Sequence, residues 1–173
     1  SMKKLNVGCG KVILQGYINL DSVKLPGVDV VHNLEKYPWP FKDSTFDEIF
    51  CDNVLEHLSD ILKPMEEIWR ISKGKSRVII KVPIYPSLWA FSDPTHKSAY
   101  TYLTFNYFRP DDGLNYYSKA RFNIKKRKIV FNHLLRWLNP IINCCEPVQK
   151  LYYFYFSGAI PANSLYIELE CVK

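Results

Sequence analysis

Three features of the chain predict an α/β fold built on an open, mostly parallel sheet. Leu5-Asn6-Val7 is a short apolar run that ends in Gly8-Cys9-Gly10, and Tyr17-Ile18-Asn19-Leu20 is a second that ends in Asp21. Further on, two β-rich runs, Phe46 to Cys51 and Arg77 to Val82, flank a segment of helical periodicity. Strands interleaved with helix are most economically arranged as a parallel sheet with its loops gathered at the strand ends.

In such sheets ligands bind beyond the carboxyl ends of the strands. Glycines after the first strand let the backbone approach a ligand closely, where a Cβ would obstruct it. An acid closing the second strand can accept hydrogen bonds from ribose hydroxyls. Together they read as a nucleoside-cofactor site. The dinucleotide fingerprint needs a third glycine and an acid about 20 residues on. Here Leu14 stands near the third position and Asp21 arrives early, so NAD and FAD are disfavoured.

The chain has 173 residues, 47% of them hydrophobic, enough for one domain with a full core. Ser1 ahead of Met2 reads as a remnant of preparation, and Lys3-Lys4 lead straight into a strand instead of a signal peptide. No apolar run is long enough for a spanning helix. Five scattered cysteines without a C-x-x-C spacing fit reduced thiols and a cytoplasmic location. The net charge of +6 owes much to Lys125-Lys126-Arg127-Lys128, a block whose ordinary meaning is a solvated edge, so nucleic acid is not the favoured partner.

Taken in order, Leu5 to Val7 and Tyr17 to Leu20 are the first strands. The nine residues between them fall short of the dozen or so that a helical crossover needs, so the first crossover is shortened. Val28 to His32 is a third strand. Leu34 to Thr45 carries Pro38, Trp39 and Pro40 and is irregular. Phe46 to Cys51 is a fourth strand, followed by a helical turn over Asn53 to His57. Asp60 caps a helix from Ile61 to Ser72, with Ile61, Met65, Ile68 and Ile71 on one face and Gly74 as its stop. Arg77 to Val82 is a fifth strand. Pro83 to Ala99 is a long loop of the kind that often serves as a lid. Thr101 to Phe108 is a short helix, Ala120 to Phe131 a strand, His133 to Ile142 helical, and Ser164 to Val172 a closing strand. The aromatic run Leu151 to Phe156 marks an interface, a membrane contact or a substrate cover, unless it packs on the sheet.

Leu5 to Gly10, Gly16 to Asp21, Pro38 to Phe50 and Val54-Leu55-Glu56-His57-Leu58, in that order, resemble the class I S-adenosylmethionine-dependent methyltransferases, in their type-11 branch. The resemblance covers roughly the first 110 residues. It implies a Rossmann-like sheet of seven strands with the last antiparallel. It implies S-adenosylmethionine as cofactor, with S-adenosylhomocysteine as product. Gly8, Cys9 and Gly10 would pass beneath the methionine part, and Asp21 would hold the ribose. Asn33-Leu34 stands where the family usually has an acid for the adenine amine. Asparagine accepts there without charge assistance. Asp52 and Asn53 would lie near the sulfonium. The chain is expected to be one domain over 1–173. Residues 5–99 would form the cofactor core, 100–163 the substrate-side cover, and 164–173 the closing strand.

Asp93-Pro94-Thr95-His96-Lys97 resembles a segment that recurs in this branch. His96 is a candidate base and Asp93 its orienting partner; Tyr85 and Trp89 are candidate walls of the acceptor pocket. Glu56-His57 is a single adjacent pair, and a metal needs several convergent ligands, so no metal is expected. The leading expectation is methylation of oxygen or nitrogen on a small-molecule or glycan acceptor. RNA methylation would gain support if Lys125 to Lys128 lay beside the cofactor pocket. A non-catalytic cofactor-binding subunit and peripheral membrane attachment through Leu151 to Phe156 are the other readings, and a homodimer is a candidate assembly.

Overall fold

The computed structural model describes residues 2–173, so Ser1 lies outside it. The strands are β1 (Lys4–Val7), β2 (Ile18–Asp21), β3 (Val30–Val31), β4 (Phe46–Asp52), β5 (Ser72–Pro83), β6 (Phe122–Val130) and β7 (Ser164–Cys171). They form one seven-stranded sheet in the order β3-β2-β1-β4-β5-β7-β6. Every pair from β3 across to β5 is parallel, and β7 runs antiparallel to both neighbours. The α/β class, the seven strands and the antiparallel last strand therefore hold. So does the shortened crossover, for no helix separates β1 from β2.

That missing helix leaves the two faces of the sheet unlike. Leu5, Val7, Leu20, Ile49, Cys51, Val78, Ile80, Val82, Leu165, Ile167 and Leu169 are all buried and form the core face. Helix α1 (Leu62–Ile71) lies in that core with Met65, Ile68 and Ile71 fully buried, each worth about 1.5–3 kcal/mol over its exposed state. The opposite face bears a band of polar side chains in place of a helix. Glu48 pairs with Lys4 at 3.4 Å and with Arg77 at 3.1 Å, and Arg77 also reaches Glu168 at 3.0 Å. A parallel sheet ordinarily needs both faces covered; here ionic neighbours along the pleat satisfy the face that no helix covers.

The irregular Pro-Trp-Pro segment is nailed to α1. The Trp39 amide donates to Glu67 Oε2 at 2.6 Å, and Arg70 donates to the carbonyls of Trp39 and Phe41. Trp39 itself is buried, its indole N–H donating to the carbonyl of Leu34 at 3.0 Å. The loop is thus part of the core without being regular.

Several element limits differ from the sequence expectation. The third strand has only two residues, Val30–Val31. Gly74 does not stop the helix: Ser72 is already extended and Gly74 lies inside β5, so helix passes into strand directly. The long loop contains α2 (Trp89–Ser92), and Thr104–Phe108 is a 3-10 helix. Helix α3 is confined to Leu138–Ile142. Helix α4 (Glu146–Tyr155) takes up most of the aromatic run.

Candidate active site

At the carboxyl ends of β1, β2 and β4 lies a cleft of about 320 Å³, lined by Gly8, Asp21, Ser22, Asn33, Leu34, Glu35, Asn53, Val54, His57 and Leu58. Its floor is the turn after β1. Gly8 has φ +62°, and a Cβ there would stand 2.2 Å from a Val54 methyl, so only glycine lets the two strand-end turns touch. The Gly10 amide donates to Asp21 Oδ2 at 2.7 Å, which ties the glycine turn to the end of β2. Asp21 Oδ1 accepts from Val23 N at 3.0 Å. Oδ1 also meets the Ser22 hydroxyl at 3.5 Å, whereas Oδ2 has only the Gly10 amide and keeps an acceptor site for a ligand's hydroxyl. Asn33 Oδ1 accepts from the amide of Glu35, which shapes the turn after β3. Glu35 is held by the Ser59 hydroxyl, then the Ser59 amide and Lys97, and its carboxyl is lowered to about 2.

Of the expected cofactor residues, Gly8, Asp21, Asn33, Leu34 and Asn53 line this cleft. Cys9, Gly10 and Asp52 do not. Cys9 is buried behind the turn, its thiol pushed upward by burial and by Asp21, and its amide donates to Leu20 O. Asp52 pairs with Lys81 at 3.3 Å and accepts from Asn53 Nδ2 at 2.8 Å. Val54, His57 and Leu58 belong to the Val54-Leu55-Glu56-His57-Leu58 motif, although no cofactor role was expected of them. Ser22 and Glu35 had no signal of their own and adjoin Asp21 and Leu34, so extending those positions by one residue would have found them.

Asn53 has φ +53°, a left-handed conformation that asparagine tolerates. It turns the chain out of β4 into the 3-10 helix Leu55–His57, which delivers Glu56 and His57. A second cleft, of about 660 Å³, opens beside the first; Asn53 and His57 line both, joined here by Glu56, Trp89, Ser92, Asp93 and His96. The loop that carries His96 is stapled to the strand-end turn, because the amides of Lys97 and Ser98 both donate to the carbonyl of Glu56, at 2.7 and 3.3 Å. The imidazoles of His57 and His96 meet edge to face, with centroids 4.8 Å apart. Glu56 is 1% exposed, and neither carboxylate oxygen has a partner. Burial pushes its carboxyl up to about 7.

The hydrogen bonds fix both tautomers. Asp93 is held ionised by its bonds from Thr95, and an ionised carboxylate only accepts. The Thr95 hydroxyl therefore gives its proton to Asp93 Oδ1, at 2.6 Å, and accepts from His57 Nδ1–H at 2.9 Å. His96 Nδ1–H donates to the carbonyl of Ala90 at 3.2 Å. The neutral tautomer of each ring that these bonds select carries its lone pair on Nε2. Asp93 thus orients His57 through Thr95, and stands 3.9 Å from His96 Nε2. Trp89 walls the second cleft; Tyr85 does not, lying instead against Phe91. Lys125 to Lys128 lie in β6, at the far edge of the sheet from β3, and so not beside the cofactor cleft.

Residues 5–80 match the methyltransferase domain family. The structure is similar to a SAM dependent methyltransferase from Archaeoglobus fulgidus, with a TM-score of 0.66 at 18% identity over 98% of this chain and 86% of that one. It is also similar to an S-adenosylmethionine dependent methyltransferase from Mesorhizobium loti, with a TM-score of 0.60 at 10% identity over 98% and 91% of the two chains. One curated relative, the uncharacterized protein MJ0638 of Methanocaldococcus jannaschii, is 54% identical over 43 residues, which are 25% of this chain and 19% of that protein. The sheet order, the glycine turn tied to a strand-end acid and the match over residues 5–80 make the chain similar to the class I S-adenosylmethionine-dependent methyltransferases in fold and in its first 80 residues. The first cleft fits S-adenosylmethionine: an acid faces where the ribose would lie, and the turn would be filled by any Cβ at Gly8.

Proposed function

We propose that the chain transfers the methyl group of S-adenosylmethionine to an oxygen or nitrogen of a small-molecule or glycan acceptor held in the second cleft. The carrying observation is the shared wall: Asn53 and His57 line both clefts, so ligands in the two touch the same side chains. The volume of about 660 Å³ lies in the range of small-molecule sites, about 300–1,000 Å³. When bound, the cofactor supplies a sulfonium methyl open to in-line attack. The chain's share is alignment, through Asp21 on one side and the Trp89 wall on the other. In the metal-free site, the Nε2 of His96 would take the proton that the attacking hydroxyl or amine gives up.

The test is transfer of labelled methyl to a panel of hydroxyl and amine compounds, sugars and RNA. Transfer to small acceptors that falls about 10²–10⁴-fold in His96→Ala supports the reading. Transfer to RNA alone, or to nothing while the cofactor binds, overturns it.

For the surface of α4 we propose peripheral contact with an anionic lipid surface. Leu151, Phe154, Tyr155 and Phe156 of the α4 region are 53%, 56%, 78% and 50% exposed, while Lys125, Lys126 and Lys150 line the neighbouring groove. Apolar side chains beside lysines are the composition that such surfaces attract.

A further inference from the structure

The floor of the second cleft holds a group of side chains that proton transfer alone does not explain. One donor atom each from Glu56, His57 and His96 lies within 4.8 Å of the others. Glu56 is 1% exposed, lines the cleft, and both its carboxylate oxygens lack any hydrogen-bond partner. A buried carboxylate without partners is costly unless a cation or donor meets it. Both imidazoles have their Nδ1–H engaged, His57 by the Thr95–Asp93 chain and His96 by the Ala90 carbonyl, and present Nε2 lone pairs. Metal-bound histidines are typically oriented in this way, through the ring nitrogen that does not ligate.

We propose that Glu56, His57 and His96 bind one divalent transition-metal ion of the zinc type, with an open coordination position toward the second cleft. Two imidazoles and one carboxylate suit zinc-like ions better than magnesium or calcium, which prefer oxygen throughout. Ligand atoms about 2.1 Å from a tetrahedral ion stand about 3.4 Å apart, so the site closes by a movement of roughly 1–1.5 Å. Two main-chain bonds from the His96 loop to the Glu56 carbonyl hold the third ligand in reach. Ion binding does not depend on the function proposed above; the ion's role does. There the open position takes the acceptor's hydroxyl or amine and lowers its pKa. With the ion bound, His96 serves as a ligand in place of the base role given it above, and water takes the proton.

The experiment uses chelator-stripped full-length protein carrying Cys144→Ser and Cys145→Ser, so that the exposed thiol pair cannot bind metal. Cobalt(II) is titrated by its visible absorption, and zinc(II) by competition against it. One equivalent with tetrahedral-type bands is expected. Affinity should fall at least about a hundredfold in Glu56→Gln and in His96→Ala, beyond the 10–100-fold typical of outer partners. Glu56→Gln keeps the side chain's shape, and circular dichroism establishes that each variant is folded. Absence of a saturable band, or a band unchanged in both variants, overturns the proposal. Titration with S-adenosylmethionine on the same samples separates the two readings. Neither Glu56 nor His96 lines the first cleft, so cofactor binding persists whether or not the metal site is real.

Discussion

The main-chain amide of Gly10 donates to the carboxylate of Asp21 across 2.7 Å, and this one bond joins the ends of two neighbouring strands. It makes the acid both a ligand-facing group and a strut of the glycine turn. The cofactor cleft is rigid at its floor because the turn after β1 touches Val54 on one side and Asp21 on the other.

Gly8→Ala is expected to destabilise the protein and weaken cofactor binding together. The added Cβ meets Val54 Cγ2 at 2.2 Å, and the φ of +62° is itself unfavourable for alanine. The combined cost is about 2–4 kcal/mol, measured by urea unfolding. Adding Val54→Ala should restore part of it, since the clash goes and the backbone strain stays.

Glu67 gives the fold an acid-sensitive joint. Burial raises its carboxyl, but hydrogen bonds from Arg70 and the Trp39 amide outweigh this and hold it below its ordinary 4.5. A lowered folded value means its stabilisation is complete above the unfolded value and is lost as pH falls through the folded one. Unfolding free energy should therefore lose this contribution progressively below about pH 5. Glu67→Gln should be less stable at pH 7 by about 2 kcal/mol and show a shallower acid slope. An identical slope in wild type and variant would refute the assignment.

The α4 surface predicts lipid dependence. Wild-type protein should float with vesicles containing phosphatidylserine and not with neutral ones. Leu151→Ser with Phe154→Ser and Tyr155→Ser should stay at the bottom of the gradient. Flotation that ignores both the charge of the lipid and these side chains would remove this surface from consideration.

The parallel core was legible because its signals are local. Leu5 to Gly10 and Gly16 to Asp21 each carry strand, turn and ligand chemistry within six residues, and the short link between them already forbade a helix. The sequence does not reveal what that helix's absence does to the sheet. The polar band of Glu48, Arg77 and Glu168 joins residues up to 120 positions apart, a pairing that only the register creates. Gly74 misled because glycine after a periodic segment usually ends a helix, whereas here it lies in a strand that begins at Ser72. The site divides in the same way. Asp21 and Asn53 sit at strand ends and could be placed by motif, but the meeting of Glu56-His57 with His96 depends on a loop folding back so that Lys97, 41 residues after Glu56, bonds the Glu56 carbonyl.

The most direct measurement is calorimetric titration of the full-length protein with S-adenosylmethionine and S-adenosylhomocysteine, wild type beside Asp21→Ala. The site described here predicts one equivalent of either ligand bound by wild type. It predicts affinity lower by about 10–100-fold in the variant, the worth of charge-assisted hydrogen bonds to the ribose. Wild-type protein that binds neither ligand, or a variant that binds both as tightly as wild type, would contradict the placement of the cofactor at the ends of β1 and β2.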